Sequence, residues 1–181
     1  MGAISGDINV NGSGSVYVFT RTGTIWSFQQ ELTASDAVTA DNFGEKVAIE
    51  GDTIVVGTVR NDSYTGAAYV FQRDNDVWSE TTKLTPSDAT AGQQFGSAID
   101  IQGSTIVIGS HRDSETFSLS GAVYVFQQFG ENWIETQKLK ASFPTPNAGF
   151  GITLSMDGEN LVIGTPSTFV TASYSGKAFL F

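Results

Sequence analysis

One short phrase recurs four times along the chain: GSVYVF at 14–19, GAAYVF at 66–71, GAVYVF at 121–126 and GKAFLF at 176–181. Its closing aromatic recurs after 52, 55 and 55 residues (Phe19, Phe71, Phe126, Phe181). A strand-rich unit of about 50 residues cannot bury its apolar faces alone, so such a period implies stacked sheets of the propeller or array kind.

The spacings within each unit separate frame from variation. Seven residues lead from the closing Phe to a Trp (Trp26, Trp78, Trp133) and eighteen from there to the Gly of a Phe-Gly pair (Phe43-Gly44, Phe95-Gly96, Phe150-Gly151). Thirteen more reach a Gly that ends an apolar run (Gly57, Gly109, Gly164). From that Gly to the next phrase the gap is 9, 12 and 12 residues, and Gly2 to Gly14 gives 12 again. All length variation falls in one loop, the kind of segment that tolerates change and carries function.

Each unit reads as four strands. After Phe-Gly, large apolar groups fall on every second residue (Phe95, Ile99, Ile101; Phe150, Ile152, Leu154, Met156), the strand period. Two-residue turns follow at Gly51-Asp52, Gly103-Ser104 and Gly158-Glu159. The second strand is apolar on both faces (Ile54-Val55-Val56, Ile106-Val107-Ile108, Leu161-Val162-Ile163), as a sandwiched strand must be. The phrase itself is the third. The fourth is an outer edge strand with Trp and Leu six apart, and the even spacing predicts both on one buried face, with Glu80 and Lys83 solvated. The chain reads as all-β, with β-propeller blades of four-stranded antiparallel sheets, about three blades' worth: a partial blade 1–42, blades 43–94 and 95–149, and a partial blade 150–181, in one domain. Thirteen strands are expected. An ordinary β-sandwich would account for the strands but not for the fixed spacings.

A net charge of −10 from 19 acidic and 9 basic residues argues against nucleic acid and anionic membranes as partners. The chain has no Cys, hence no disulfide and no thiolate metal site, and no apolar run long enough for a membrane helix. No basic leader opens it, so any signal peptide is expected to have been removed.

Through Phe-Gly, the apolar run ending Gly-Thr or Gly-Ser, and the G-x-x-Y-V-F phrase, the chain resembles the FG-GAP repeat family, the blades of integrin α-subunit propellers and of many bacterial surface proteins. It is most similar to the bacterial type, which shares the Trp-anchored fourth strand and a stretch like Lys83-Leu84-Thr85-Pro86-Ser87-Asp88. The resemblance implies an extracellular or cell-surface location and a role in recognition or adhesion. Integrin-type repeats carry a calcium loop between strands one and two. Here that connection is the short Gly-turn, so the calcium site does not transfer.

Elsewhere, Asp7-Ile8-Asn9-Val10-Asn11-Gly12 fits the opening of a calcium loop, but its twelfth position is Val18 rather than a carboxylate. A polar, turn-rich loop accounts for Asp7, Asn9 and Asn11 better, and no cofactor is expected. Asn11 and Asn61 open N-glycosylation sequons. His111 is the single His, with no marker of a nucleophile or oxyanion hole, and reads as part of a solvated charged loop. Asp36, Asp41, Asp88 and Asp100 could pair for glycoside chemistry, but the 52-residue recurrence of Asp36 at Asp88 favours turn and capping roles. Frame aromatics serve the core, which leaves the variable-loop aromatics Tyr64, Phe117, Phe169 and Tyr174 as ligand-binding candidates. The function expected is a non-catalytic propeller module that recognises a protein or glycan through its variable loops, either within a longer propeller or as a homo-oligomer. The alternatives are a structural protein whose blades assemble between chains and, last, a propeller-scaffold enzyme.

Overall fold

The computed structural model describes residues 2–3, 12–169 and 174–181, with backbone alone for residues 2–3, 167–169 and 174–175. Its four antiparallel sheets follow one another along the chain. The first is β1 (Gly2–Ala3), β2 (Ser15–Thr22) and β3 (Ile25–Leu32). The second is β4 (Lys46–Glu50), β5 (Thr53–Thr58), β6 (Ala67–Asp74) and β7 (Val77–Leu84). The third repeats that order with β8 (Phe95–Gln102), β9 (Thr105–Ser110), β10 (Ala122–Phe129) and β11 (Asn132–Leu139). The last is β12 (Thr153–Asp157), β13 (Asn160–Phe169) and β14 (Tyr174–Leu180). These are propeller blades. The short β1, paired with Ser15 and Val16, brings the described strands to fourteen rather than thirteen.

Three apolar cores lie between successive blades. Val55, Val70 and Leu84 of the second sheet meet Phe95, Ile106 and Tyr124 of the third, and equivalent layers join the first sheet to the second and the third to the last. The Phe of each Phe-Gly pair is fully buried and meets the aromatic doublet of its own blade edge-on, as Phe95 does with Tyr124 (centroids 5.4 Å apart) and Phe126 (6.1 Å). Its backbone also forms a parallel bridge to the opening Gly of the preceding blade, Gly66 with Phe95. Gly66 has φ +86°, and a Cβ there would collide with the Phe95 carbonyl, so the repeated glycine is a point of backbone contact between blades. The second-strand glycines act likewise: a Cβ on Gly57 would lie 2.5 Å from the carbonyl oxygen of Gly96.

The fourth strand corrects the expectation of one buried face. Trp78 and Leu84 are both buried, but Trp78 packs in the layer toward the first sheet and Leu84 in the layer toward the third. The register slips between Val70 and Phe71, which face Thr82 and Glu80, leaving Thr81 as an extra residue. Such a bulge shifts the alternation by one, so residues an even number apart end on opposite faces. The same slip occurs at Val18/Phe19 and Val125/Phe126. Glu80 is half-buried rather than solvated, because its carboxylate accepts hydrogen bonds from Ser35 N (2.9 Å) and Oγ (2.8 Å) of the previous blade. Glu135 holds Ser87 in the same way. Trp26, at the equivalent frame position, is 62% exposed, since no sheet among the described residues covers that side of the first blade.

Candidate functional site

Beneath the variable loops of the two complete blades lies a polar network built on the fourth-strand lysine. Lys83 donates to Asp36 (2.6 Å) and to Asn61 Oδ1 (2.9 Å), and the Tyr69 hydroxyl donates to Asp36 (2.6 Å). The Asn61 amide donates in turn to the buried Asp41 (3.1 Å). One blade on, Lys138 donates to Asp88, Asp113 (2.8 Å) and Glu115 (2.7 Å), and Tyr124 donates to Asp88 (2.7 Å). Asp36 and Asp88 therefore do more than cap turns: they fasten the chain entering each blade to that blade's third and fourth strands. The partners at the next two positions are exchanged, with Asp41 and Asn61 in one blade and Gln93 and Asp113 in the other. In the last blade the network is gone, its tyrosine replaced by Phe179 and its acids by Phe143 and Ala148.

The electrostatics are those of a clamp. Burial opposes ionisation of Asp36 and Asp88, but hydrogen bonds from Lys83 or Lys138 and from the tyrosines outweigh it and hold both carboxyls below the usual range. Burial, reinforced by hydrogen bonding to Asp36 or Asp88, pushes the Tyr69 and Tyr124 hydroxyls well above the ordinary tyrosine value. Burial alone would lower Lys138, yet its three carboxylate partners raise it. All of these groups keep their neutral-pH protonation states. Asp100 accepts from Ile101 N (2.9 Å) and Met156 N (2.7 Å), joining the third blade to the last rather than pairing with a second carboxylate.

Over the first of these networks, the loop between β5 and β6 makes an uncommon turn. Asp62, Ser63 and Tyr64 have φ of 46°, 58° and 64°, three consecutive left-handed residues that are not glycine. Equivalent positions to Tyr64 carry Gly12 (φ 71°) and Leu119 (φ 53°), so a site suited to glycine holds an aromatic ring in this blade. The turn is locked to the next blade's entry chain, with Gln94 N donating to Tyr64 O (2.9 Å) and Gly92 N to Ser63 O (3.2 Å). Gln94, at φ 57°, is itself left-handed. The same pairing recurs one blade on, where Gly149 N donates to Leu119 O (3.1 Å) and Asn147 N to Ser118 O (2.8 Å), so the left-handed turn belongs to the repeat frame and what is particular to this junction is the aromatic ring it presents.

Between the two loops opens a cleft of about 470 Å³. It is lined by Tyr64 and Ser63 from one variable loop, Thr90 and Gln94 from the entry chain of the next blade, and Arg112 and Leu119 from the next variable loop. The Tyr64 ring is 48% exposed, with the Arg60 guanidinium 5.9 Å from its centroid.

Of the expected site aromatics whose side chains are described, Tyr64 lines this cleft and Phe117, 47% exposed on the adjacent loop, does not. Phe169 and Tyr174 pair in the backbone ladder between β13 and β14, so in the last blade that segment is strand where a loop was expected, and their side chains lie outside the described residues. Asp7, Asn9 and Asn11 also lie outside the described residues. His111 is half-buried rather than solvated, and burial, with Arg112 and Lys46 nearby, lowers its pKa and favours the neutral ring. Sequence reasoning missed Arg112 and Gln94. The left-handed turn was detectable only as a departure from glycine at the position of Gly12.

A family model for the FG-GAP repeat matches residues 26–71, 78–126 and 133–181. The chain belongs to the FG-GAP repeat family. Each FG-GAP match runs from a fourth-strand Trp to the closing Phe of the next blade's recurring phrase, so every match straddles two blades and contains the contact between them. A comparison with curated proteins finds no match. Among the described residues no helix is long and apolar enough to cross a membrane.

Proposed function

We propose that the chain is a non-catalytic recognition module, acting outside the cell or at its surface, that binds a protein or glycan through the clefts between its variable loops. The observation that carries this reading is the cleft beside Tyr64, where an exposed variable-loop aromatic, a left-handed turn and the neighbouring blade's loop converge. An aromatic platform on a loop clamped to a rigid blade offers contact area at little entropic cost. FG-GAP membership supports the extracellular setting and the recognition role, and neither calcium nor another cofactor is invoked. The test is binding to an array of glycans and immobilised extracellular proteins. Tyr64→Ala should abolish a signal that Phe117→Ala reduces less, with the melting temperature unchanged. A signal indifferent to both substitutions, or no signal at all, overturns the reading.

A second reading, that copies assemble through their sheets, is favoured by the apolar side of the first blade. Trp26 and Phe28 are both more than half exposed there, apolar surface of a kind seldom left uncovered. Light scattering with and without residues 179–181 tests it, since a monomer unaffected by the deletion removes the need for assembly.

A further inference from the structure

We infer that the cleft between Tyr64 and Arg112 is a subsite for a carboxylate-bearing sugar, a uronic acid unit, with Tyr64 stacking on the ring and Arg112 taking the carboxylate. This rests on the recognition reading above and names its ligand class.

The first support is charge. In a chain of net charge −10, cations are scarce and most of those near the loops are neutralised: Lys83 by Asp36, Lys138 by Asp88, Asp113 and Glu115, and Lys140 by Glu115. Arg112 lines the cleft with no carboxylate partner among the described residues, and Arg60, over the Tyr64 ring, has none either. No Asp or Glu lines the cleft. An arginine on a cleft wall without a carboxylate of its own leaves its guanidinium available to an anionic group of a ligand.

The second support is shape and chemistry. A planar guanidinium matches a carboxylate with two parallel hydrogen bonds. The exposed Tyr64 ring supplies a flat apolar face, while Ser63 and Gln94 supply a hydroxyl and an amide suited to a polyol. About 470 Å³ is at the small end of ligand clefts and suits one or two sugar units. A flat aromatic face beside a guanidinium fits a uronic acid unit, whose ring presents an apolar face and a carboxylate together, better than a run of acidic peptide side chains, which has no ring to lay on Tyr64. Equivalent positions in the next blade hold Leu119 for Tyr64 and Gly149 for Gln94, so the subsite is particular to this junction.

The test is calorimetry on the full chain with trigalacturonate and with the neutral α-1,4-galactotriose. Trigalacturonate should bind about ten- to a hundredfold more tightly, the range expected for a hydrogen bond to a charged group. That preference should vanish in Arg112→Gln, persist in part in Arg112→Lys and weaken with salt, while Tyr64→Ala should weaken both sugars. Equal binding of the two sugars, lost in Tyr64→Ala but unmoved by Arg112→Gln, overturns the acidic subsite and leaves the recognition reading standing. Poly-glutamate binding with the Arg112 dependence, and no trigalacturonate binding, overturns the sugar class. No binding of any of the three overturns the subsite, and the recognition reading is then decided by the array. Circular dichroism of Arg112→Gln and Tyr64→Ala must match the parent chain, and the surface position of both residues makes that the expected result.

Discussion

Trp78 and Trp26 occupy the same frame position in consecutive repeats and differ only in what lies against them, which makes them an internal control for blade packing. Trp78 is 3% exposed, packed toward the first sheet, with its indole N–H donating to Gln29 Oε1 (3.2 Å) and the Arg73 guanidinium 5.2 Å from its ring centroid. A buried Trp removes roughly 150–250 Å² from water, which at about 25 cal/mol per Å² is about 4–6 kcal/mol. Part of this survives as the Ala methyl and part is recovered by relaxation, so Trp78→Ala should cost about 4 kcal/mol. Trp26, 62% exposed with Arg21 5.6 Å from its ring, has about a third of that burial to lose, and Trp26→Ala should cost about 1 kcal/mol. The difference of about 3 kcal/mol corresponds to roughly 10 °C in melting temperature for a chain of this size. Urea melts followed by circular dichroism on the two variants measure it. A difference under about 1 kcal/mol would refute the argument that the neighbouring sheet, rather than the repeat position, determines the value of the residue.

Because Asp36 and Asp88 ionise below the usual carboxyl range when folded, their contribution is present above an unfolded value of about 3.9 and is lost as pH falls through their lowered values. Denaturant melts should show stability falling below about pH 4, less steeply in Asp88→Asn, and an identical acid limb in that variant would count against the clamp. Lys138, raised by its carboxylates, keeps its contribution through moderately alkaline pH and loses it only as pH climbs through its raised value, so Lys138→Met should remove stability at pH 9 as well as at pH 7. Gly57→Ala drives a Cβ toward the Gly96 carbonyl and should cost about 1–3 kcal/mol by overpacking, a loss that a neutral result in thermal melts would contradict. A chelator should leave the melting temperature unchanged, because the loop opening at Asp7 lacks a twelfth-position carboxylate; an ion bound at a hundred times its dissociation constant would add about 2.7 kcal/mol, and a calcium-reversible fall would reveal it.

What the sequence made legible is the frame, because its residues recur at fixed intervals. The Phe95 ring, the Gly51 turn and the run of Ile54, Val55 and Val56 are each determined by contacts inside one repeat or between two identical ones. Three things escaped it. Thr81 adds one residue to a ladder without changing any spacing, so Trp78 and Leu84 looked coplanar until their registers were known. Trp26 shares its spacing with Trp78, and a period carries no information on which faces lack a neighbour. The cleft brings Tyr64 beside Arg112 across two loops, and one of its walls depends on a backbone sign, φ at Tyr64, that side-chain type alone does not report.

The exchange of Asp41 and Asn61 for Gln93 and Asp113 limits how such blades can be recombined. Grafting the third sheet's variable loop onto the second would set Asp113 against Asp41, two carboxylates buried where one is now matched by an amide. The reverse graft would set Asn61 against Gln93 and take a carboxylate away from Lys138. Neither loop is portable on its own. The unit that can be moved between blades, by an engineer or by gene conversion, is the variable loop together with the entry chain that precedes its own Phe-Gly, and so a cut placed at the Phe-Gly boundary separates two halves that are chemically matched.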